Sequence, residues 1–277
     1  MNNFLTRSLS GVVYVGAISG SILLGGYTYL FVFALLTGLA LWEFYTLLEK
    51  HTNTQIDKPV AILGGVYLFV TGTLGFAGIL PIRYIALWFL IMLFLLIREL
   101  YRTRTNAIKE IAYTFFGQLY IAVPLTFLSK LAYPYQDFVG GPYEPLFILL
   151  FFILIWVYDT GAYLFGVSFG KHRLFERVSP KKSWEGLIGG YIVTLGAAIG
   201  LSYLFPEQLT LWQWICFALV TITFGTFGDL VESMIKRSLN VKDSGHMIPG
   251  HGGILDRIDS ALLAIPAVVI FGLFFVV

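Results

Sequence analysis

SMIKRSLNVKDSGHMIPGHGGILDRIDS, residues 233–260, sets Lys236, Arg237, Lys242, Asp243, His246, His251, Asp256, Arg257 and Asp259 between two long apolar runs. Ionisable groups are costly at membrane depth, so a cluster this dense where two spanning helices meet marks a working site. The flanking runs, 211–230 and 259–277, have the length and apolarity of transmembrane helices. Composition agrees: the chain is 57% hydrophobic, 17% aromatic and 12% charged, with mean hydropathy +0.80. A soluble chain with so little charge would lack a solvated surface. The fold class is therefore an all-α integral membrane protein, one polytopic domain over 1–277.

Working outward, apolar runs at 11–25, 27–48, 60–80, 84–97, 111–131, 145–169 and 187–205 join the two above, for about nine spans. Residues 1–131 read as a helical scaffold and 145–277 as catalytic helices with polar loops. A basic residue, Arg7, before a short apolar core resembles a signal peptide, but the next apolar run starts at once and leaves no polar N-terminus between them. Pro124 predicts a kink. Glu43, in LWEFY, reads as a carboxylate snorkelling to the interface beside Trp42. Cys216 is the single cysteine and has no disulfide partner in the chain.

Charge placement orients the spans. With nine of them, every basic residue except Arg83 and Lys130 falls on one side, which the positive-inside tendency makes cytoplasmic. The N-terminus is expected in the cytoplasm, the C-terminus outside, and the membrane to be a prokaryotic cytoplasmic (inner) membrane. Net charge is only +2, and nothing in its distribution points to nucleic acid.

Two connections on that side carry candidate chemistry. In the first, Ser179, Lys181, Lys182 and Ser183 offer hydroxyls and ammonium groups just before a helix whose N-terminal amides suit a phosphate. Attraction to anionic headgroups explains the lysines equally well. Gly186, Gly190, Gly196 and Gly200 recur every four or six residues as a packing face, which also permits a homodimer. In the second connection, Asp229, Glu232, Ser233 and Lys236 fall on one helical face. Asp256 and Asp259 share another, at the start of the last helix. Asp229, Asp256 and Asp259 converging would repel unless a cation held them, and hard oxygen ligands favour magnesium. Asp256 and Asp259 are otherwise explained as acids stabilised by the helix dipole. Neither His246 nor His251 has the partners that zinc requires.

From Ser233 to Asp259 the pattern of Ser, Lys-Arg, Lys-Asp, Pro-Gly-His-Gly-Gly and Asp-Arg-x-Asp resembles the signature of phosphatidate cytidylyltransferases, or CDP-diacylglycerol synthases. The segments SPKKSWEG, from Ser179, and DTGAY, from Asp159, are similar to other blocks of that family. The resemblance implies a cytidylyl transfer from CTP to phosphatidate that gives CDP-diacylglycerol and pyrophosphate in phospholipid biosynthesis. It also implies a required divalent cation, with a second cation permitted. On that reading Asp229, Asp256 and Asp259 hold metal. Ser179, Lys181, Lys182, Ser183 and Ser233 hold substrate phosphate, and Lys236, Arg237, Lys242, Asp243, His251 and Arg257 are catalytic.

Two other readings use the same residues. A CTP-dependent lipid-alcohol kinase would need a base beside a neutral hydroxyl. An ion-coupled transporter would use Asp159, Asp229 and Glu232 along an ion path but gives the Lys-, Arg- and Gly-rich loop no purpose. The charge asymmetry predicts that single cysteines near Lys181 and Lys242, in a Cys216→Ala background, react with an impermeant thiol reagent only from the cytoplasmic side. Labelling of either from outside would refute the nine-span topology.

Overall fold

The structure is a computed structural model that describes residues 3–102, 106–134, 141–245, 247 and 252–275, with side chains from Ser10 onward. Ten α-helices follow in chain order among these residues: α1 (Asn3–Leu23), α2 (Gly26–Thr52), α3 (Lys58–Phe76), α4 (Leu87–Leu100), α5 (Ala107–Gly117), α6 (Val123–Ala132), α7 (Pro145–Phe169), α8 (Trp184–Leu204), α9 (Leu211–Ser238) and α10 (Leu255–Phe275). Counting α5 to α6 as one continuous run, seven segments are long and apolar enough to cross a membrane. The other two runs expected to span fall on the shorter apolar stretch Ser10–Leu23 of α1 and on α4, which has 14 residues and follows a 3-10 turn, Ile82–Ala86; neither is among the seven. Large apolar side chains such as Leu24, Phe31, Leu90, Leu164, Ile192 and Trp212 are exposed, as a lipid-facing surface requires.

The chain divides into two compact units, 1–145 with 239–258, and 146–238 with 259–277. In the first, α2, α3 and the α5–α6 run pack around Tyr29, Phe33, Leu41, Phe44, Tyr45 and Phe69, all fully buried. Between apolar helices, interhelical hydrogen bonds supply specificity. Gln118, wholly buried, donates to Ala61 O at 2.7 Å and Tyr45 Oη at 3.0 Å and accepts from Trp88 Nε1 at 3.2 Å. Tyr45 in turn donates to Thr114 O at 2.8 Å. Gln118 opens a π turn, Gln118–Ala122, in which the Val123 N–H reaches Gln118 O. Pro124 has no N–H for the carbonyl four residues back, and this turn is where the run absorbs the defect. The kink foreseen at Pro124 therefore takes the form of a π turn just before it. At the polar ends of α3 and α4, Asp57 pairs with Arg98 and, at 3.1 Å, with Arg102, while Lys58 meets Glu49 at 2.7 Å.

In the second unit, α7 to α10 surround Phe151, Trp214, Ala218, Leu262 and Ile265. Tyr191 Oη lies 2.8 Å from Thr223 Oγ1, and Thr226 donates to Tyr158 Oη at 2.7 Å, tying α8 and α7 to α9. Between α7 and α8 an antiparallel hairpin, β1 (Arg173–Phe175) and β2 (Ser179–Ser183), pairs Arg173 with Ser183 and Phe175 with Ser179. Of the glycine stripe on α8, Gly186 and Gly190 pack on Ala162, Gly166 and Tyr158 of α7, whereas Gly196 and Gly200 meet no neighbour among the described residues.

Replacing Gln118 by Leu strands the buried Trp88 indole N–H and removes the donor from Ala61 O and Tyr45 Oη, a cost of about 1–3 kcal/mol. The thermal midpoint in detergent is expected to fall by several degrees, and an unchanged midpoint would show that the π-turn network adds nothing to stability.

Candidate active site

The second unit's site begins at the hairpin. Glu185, in the first turn of α8, accepts the Lys171 N–H at 3.1 Å and the His172 N–H at 3.2 Å, and its Oε1 lies 2.6 Å from His172 Nδ1. Trp184 N–H donates to His172 O at 3.0 Å. These contacts fold the strands back over the start of α8. Ser183 caps that helix, its Oγ accepting the Gly186 N–H at 3.2 Å. The hydroxyl read as a phosphate ligand thus also terminates the helix, in a side chain 4% exposed.

Below the hairpin lies a cavity of about 470 Å³, lined among others by Asp159, Tyr163, Lys181, Lys182, Ser183 and Asp229. Lys181 is exposed, while Lys182 forms an ion pair with Asp229. Ser233, one turn along α9, donates to Asp229 Oδ1 at 3.2 Å. Lys236 pairs with Glu232, a side chain only 1% exposed. Arg237 Nε donates to Val178 O at 3.4 Å, which ties α9 to the hairpin, and Ser179 sits half-buried in β2. Asp259 Oδ1 accepts the Ser260 N–H at 2.6 Å, and Asp229, Asp159 and Lys236 all act on it electrostatically. The second unit therefore collects three aspartates, Asp159, Asp229 and Asp259, with Lys182 and Lys236 supplying opposite charge. Carboxylates brought together in this way are stabilised either by cations or by one of them keeping its proton. Asp159 was left out of the sequence-derived site; its signal was an aspartate deep within an apolar run.

The remaining candidates lie in the first unit. Lys242 and Asp243 are exposed, and Arg257 O accepts from Tyr14 Oη at 2.8 Å. The Asp256 carboxylate accepts the Ser244 N–H at 3.1 Å and the Gly253 N–H at 2.7 Å. Among the described residues no three His, Cys, Asp or Glu side chains are grouped as ion ligands. His246, His251 and the Pro249-Gly250 pair lie outside the described residues.

Glu43 requires a correction. It does not snorkel: it is 3% exposed and accepts from Ser244 Oγ at 2.5 Å, Ile254 N–H at 3.0 Å and Leu255 N–H at 3.0 Å. The amides at the start of α10 need acceptors, and α2 brings one to them. A Cβ at Gly253 would strike the Glu43 carboxylate, so glycine is what lets the backbone come this close.

These features define a polytopic helical membrane protein with a cavity lined by both lysines and aspartates. The chain belongs to the cytidylyltransferase family, whose model matches residues 5–275. Among curated proteins it is similar to a phosphatidate cytidylyltransferase of Haemophilus influenzae, 46% identical over 136 residues that make up 47% of each chain. It is equally similar to the proteins of that name from Staphylococcus aureus and Staphylococcus haemolyticus, 46% identical over 120 residues, 43% of this chain and 46% of theirs. The matched stretch spans about half the length of these curated relatives.

Where α9 meets α10, a Cβ on Gly228 would lie 3.1 Å from Ser260 Cα and closer still to Asp259 O. Gly228→Ala is expected to push the Asp259 backbone aside and lower the thermal midpoint by several degrees, the effect of overpacking by about 1–3 kcal/mol. A variant as stable as the parent would show that the close approach of these helices is dispensable.

Proposed function

We propose that this chain transfers a cytidylyl group from CTP to phosphatidate, giving CDP-diacylglycerol and pyrophosphate, with CTP arriving from the cytoplasm. The observation that carries the reading is the cavity that sets Lys181 and Lys182 over Asp229, at the polar ends of helices otherwise exposed to lipid. Family membership and the names of its relatives support it.

Phosphatidate carries a phosphate monoester whose second pKa is about 6, so at neutral pH an oxygen is ready to attack without a strong base. That oxygen bonds to the α-phosphorus of CTP. The bond from this phosphorus to the α,β-bridging oxygen breaks, and its electron pair leaves with pyrophosphate. Both reactants are anions, so the residues must above all neutralise and align them. Lys181, Lys182 and Ser183 hold the lipid phosphate, with its chains toward Val167 and Leu187 on the apolar side of the cavity. Lys182 can exchange Asp229 for the phosphate, since both are oxyanions. Lys236, Arg237, Lys242 and Arg257 offset the charge on the nucleotide's phosphates.

A hard divalent cation fits oxygen ligands of this kind: Asp229 already pairs with the Lys182 ammonium. Asp229 and Asp259 are the residues of the second unit that would hold magnesium, which when bound would neutralise phosphate charge; Asp256, in the first unit, is the third aspartate that the sequence assigns to it. We place the site on the cytoplasmic face of a prokaryotic inner membrane, with a homodimer permitted by the open Gly196 and Gly200 positions of α8.

Purified protein given phosphatidate, labelled CTP and magnesium should yield labelled lipid, and EDTA should abolish it; a merely phosphorylated lipid product would refute the reading. In the same assay Asp229→Asn and Asp259→Asn should each cost about 100-fold or more in turnover. Replacing Lys181 and Lys182 together by Gln should raise the KM for phosphatidate about tenfold with insertion unchanged. Normal activity of Asp256→Asn at limiting magnesium would leave Asp256 a role only in holding its loop.

A further inference from the structure

We infer that Glu43 is a positioning residue for the reaction: its carboxylate ties Ser244 to the first amides of α10 and so fixes where Lys242, Asp243 and Asp256 beside them sit. The inference rests on the proposed function for its catalytic meaning and on the structure of the first unit alone for its geometry.

Three donors converge on two oxygens. Ser244 Oγ and Leu255 N–H both reach Glu43 Oε1, and Ile254 N–H reaches Oε2. Asp256 grips the same two ends of the loop from within, accepting Ser244 N–H and Gly253 N–H. Ser244 is thus held twice, by its hydroxyl from α2 and by its amide from α10. The backbone presses on the outer carboxylate at both ends, because a Cβ on Gly245 or on Gly253 would collide with Glu43. Lys242 and Asp243 lie on the incoming arm of this loop and Asp256 on the outgoing one. Side chains whose backbone is fixed in advance spare the reaction the entropy of ordering them at each turnover. Asp256 acts from nearby in the chain, whereas Glu43 reaches Ser244 from 201 positions away.

Glutamine at 43 would keep the volume and one acceptor but turn an NH2 toward at least one of the loop's backbone amides. Hydrogen exchange on the intact protein in detergent should show the Ile254 and Leu255 amides of Glu43→Gln exchanging about tenfold faster or more, with α7 to α9 unaltered. In the assay, turnover should fall and the KM for CTP rise about tenfold, while the KM for phosphatidate stays within about twofold because Lys181 and Lys182 belong to the other unit. A merely structural residue would lower the yield of folded protein and move neither KM. Ser244→Ala, which removes one donor and leaves the carboxylate, should shift exchange and the KM for CTP in the same direction by less. Unchanged exchange at Ile254 and Leu255, or an unchanged KM for CTP in folded Glu43→Gln, overturns the inference. If the parent protein makes no CDP-diacylglycerol, the proposed function fails on its own, and the exchange pattern still decides whether Glu43 holds the first amides of α10.

Discussion

A charged group set among apolar helices must find its opposite charge or its hydrogen bonds inside the protein, because lipid offers neither. That constraint organises both units. In the first, the buried carboxylate of Glu43 is satisfied by donors from a loop far along the chain. In the second, Lys236 is matched to Glu232, and Lys182 to Asp229 in the wall of the cavity, which thus carries both signs of charge at close quarters. A ligand bearing phosphates can take over one half of such a pairing at little cost, because the alternative for the lysine is the carboxylate it already holds.

The unsatisfied ends of helices are met in the same way. Ser183 caps α8 with its hydroxyl, and Glu185 completes the hairpin that leads into it. Glu43 does for α10, from a distance, what an N-cap side chain does locally. The polar segments are therefore fastened to helix starts, which lets short loops in an apolar protein keep defined shapes. It also means that several candidate ligands have second duties: Ser183 is a cap and Asp256 a loop clamp.

Much of the fold was legible because lipid simplifies the code: a run of apolar residues long enough to span is a helix whatever its partners. The shared face of Asp229, Ser233 and Lys236 followed from helical spacing alone, and α9 does continue through all three. The hairpin at Arg173–Ser183 was not foreseen, since strands of three and five residues have too little periodicity to be told from a loop. Nor was the form of the bend before Pro124, where the missing N–H is plain but the choice of a π turn depends on Gln118 finding Trp88, Tyr45 and Ala61. Glu43 was misread for the same reason. A lone carboxylate near a helix end looks identical whether it reaches water or a loop two hundred positions later, and only tertiary structure distinguishes them.

The distance between Glu43 and its partners also has a meaning in time. A ribosome adding about 5–20 residues per second needs roughly 10–40 s to make the 201 residues that separate Glu43 from Ser244. Throughout that interval α2 is already emerging into the bilayer with a carboxylate whose native donors do not yet exist. The nascent first unit must therefore satisfy Glu43 with water or with other donors while the intervening helices insert. Its last hydrogen bonds form only as α10 begins to leave the tunnel, so the packing of α2 is completed by a segment made long after it.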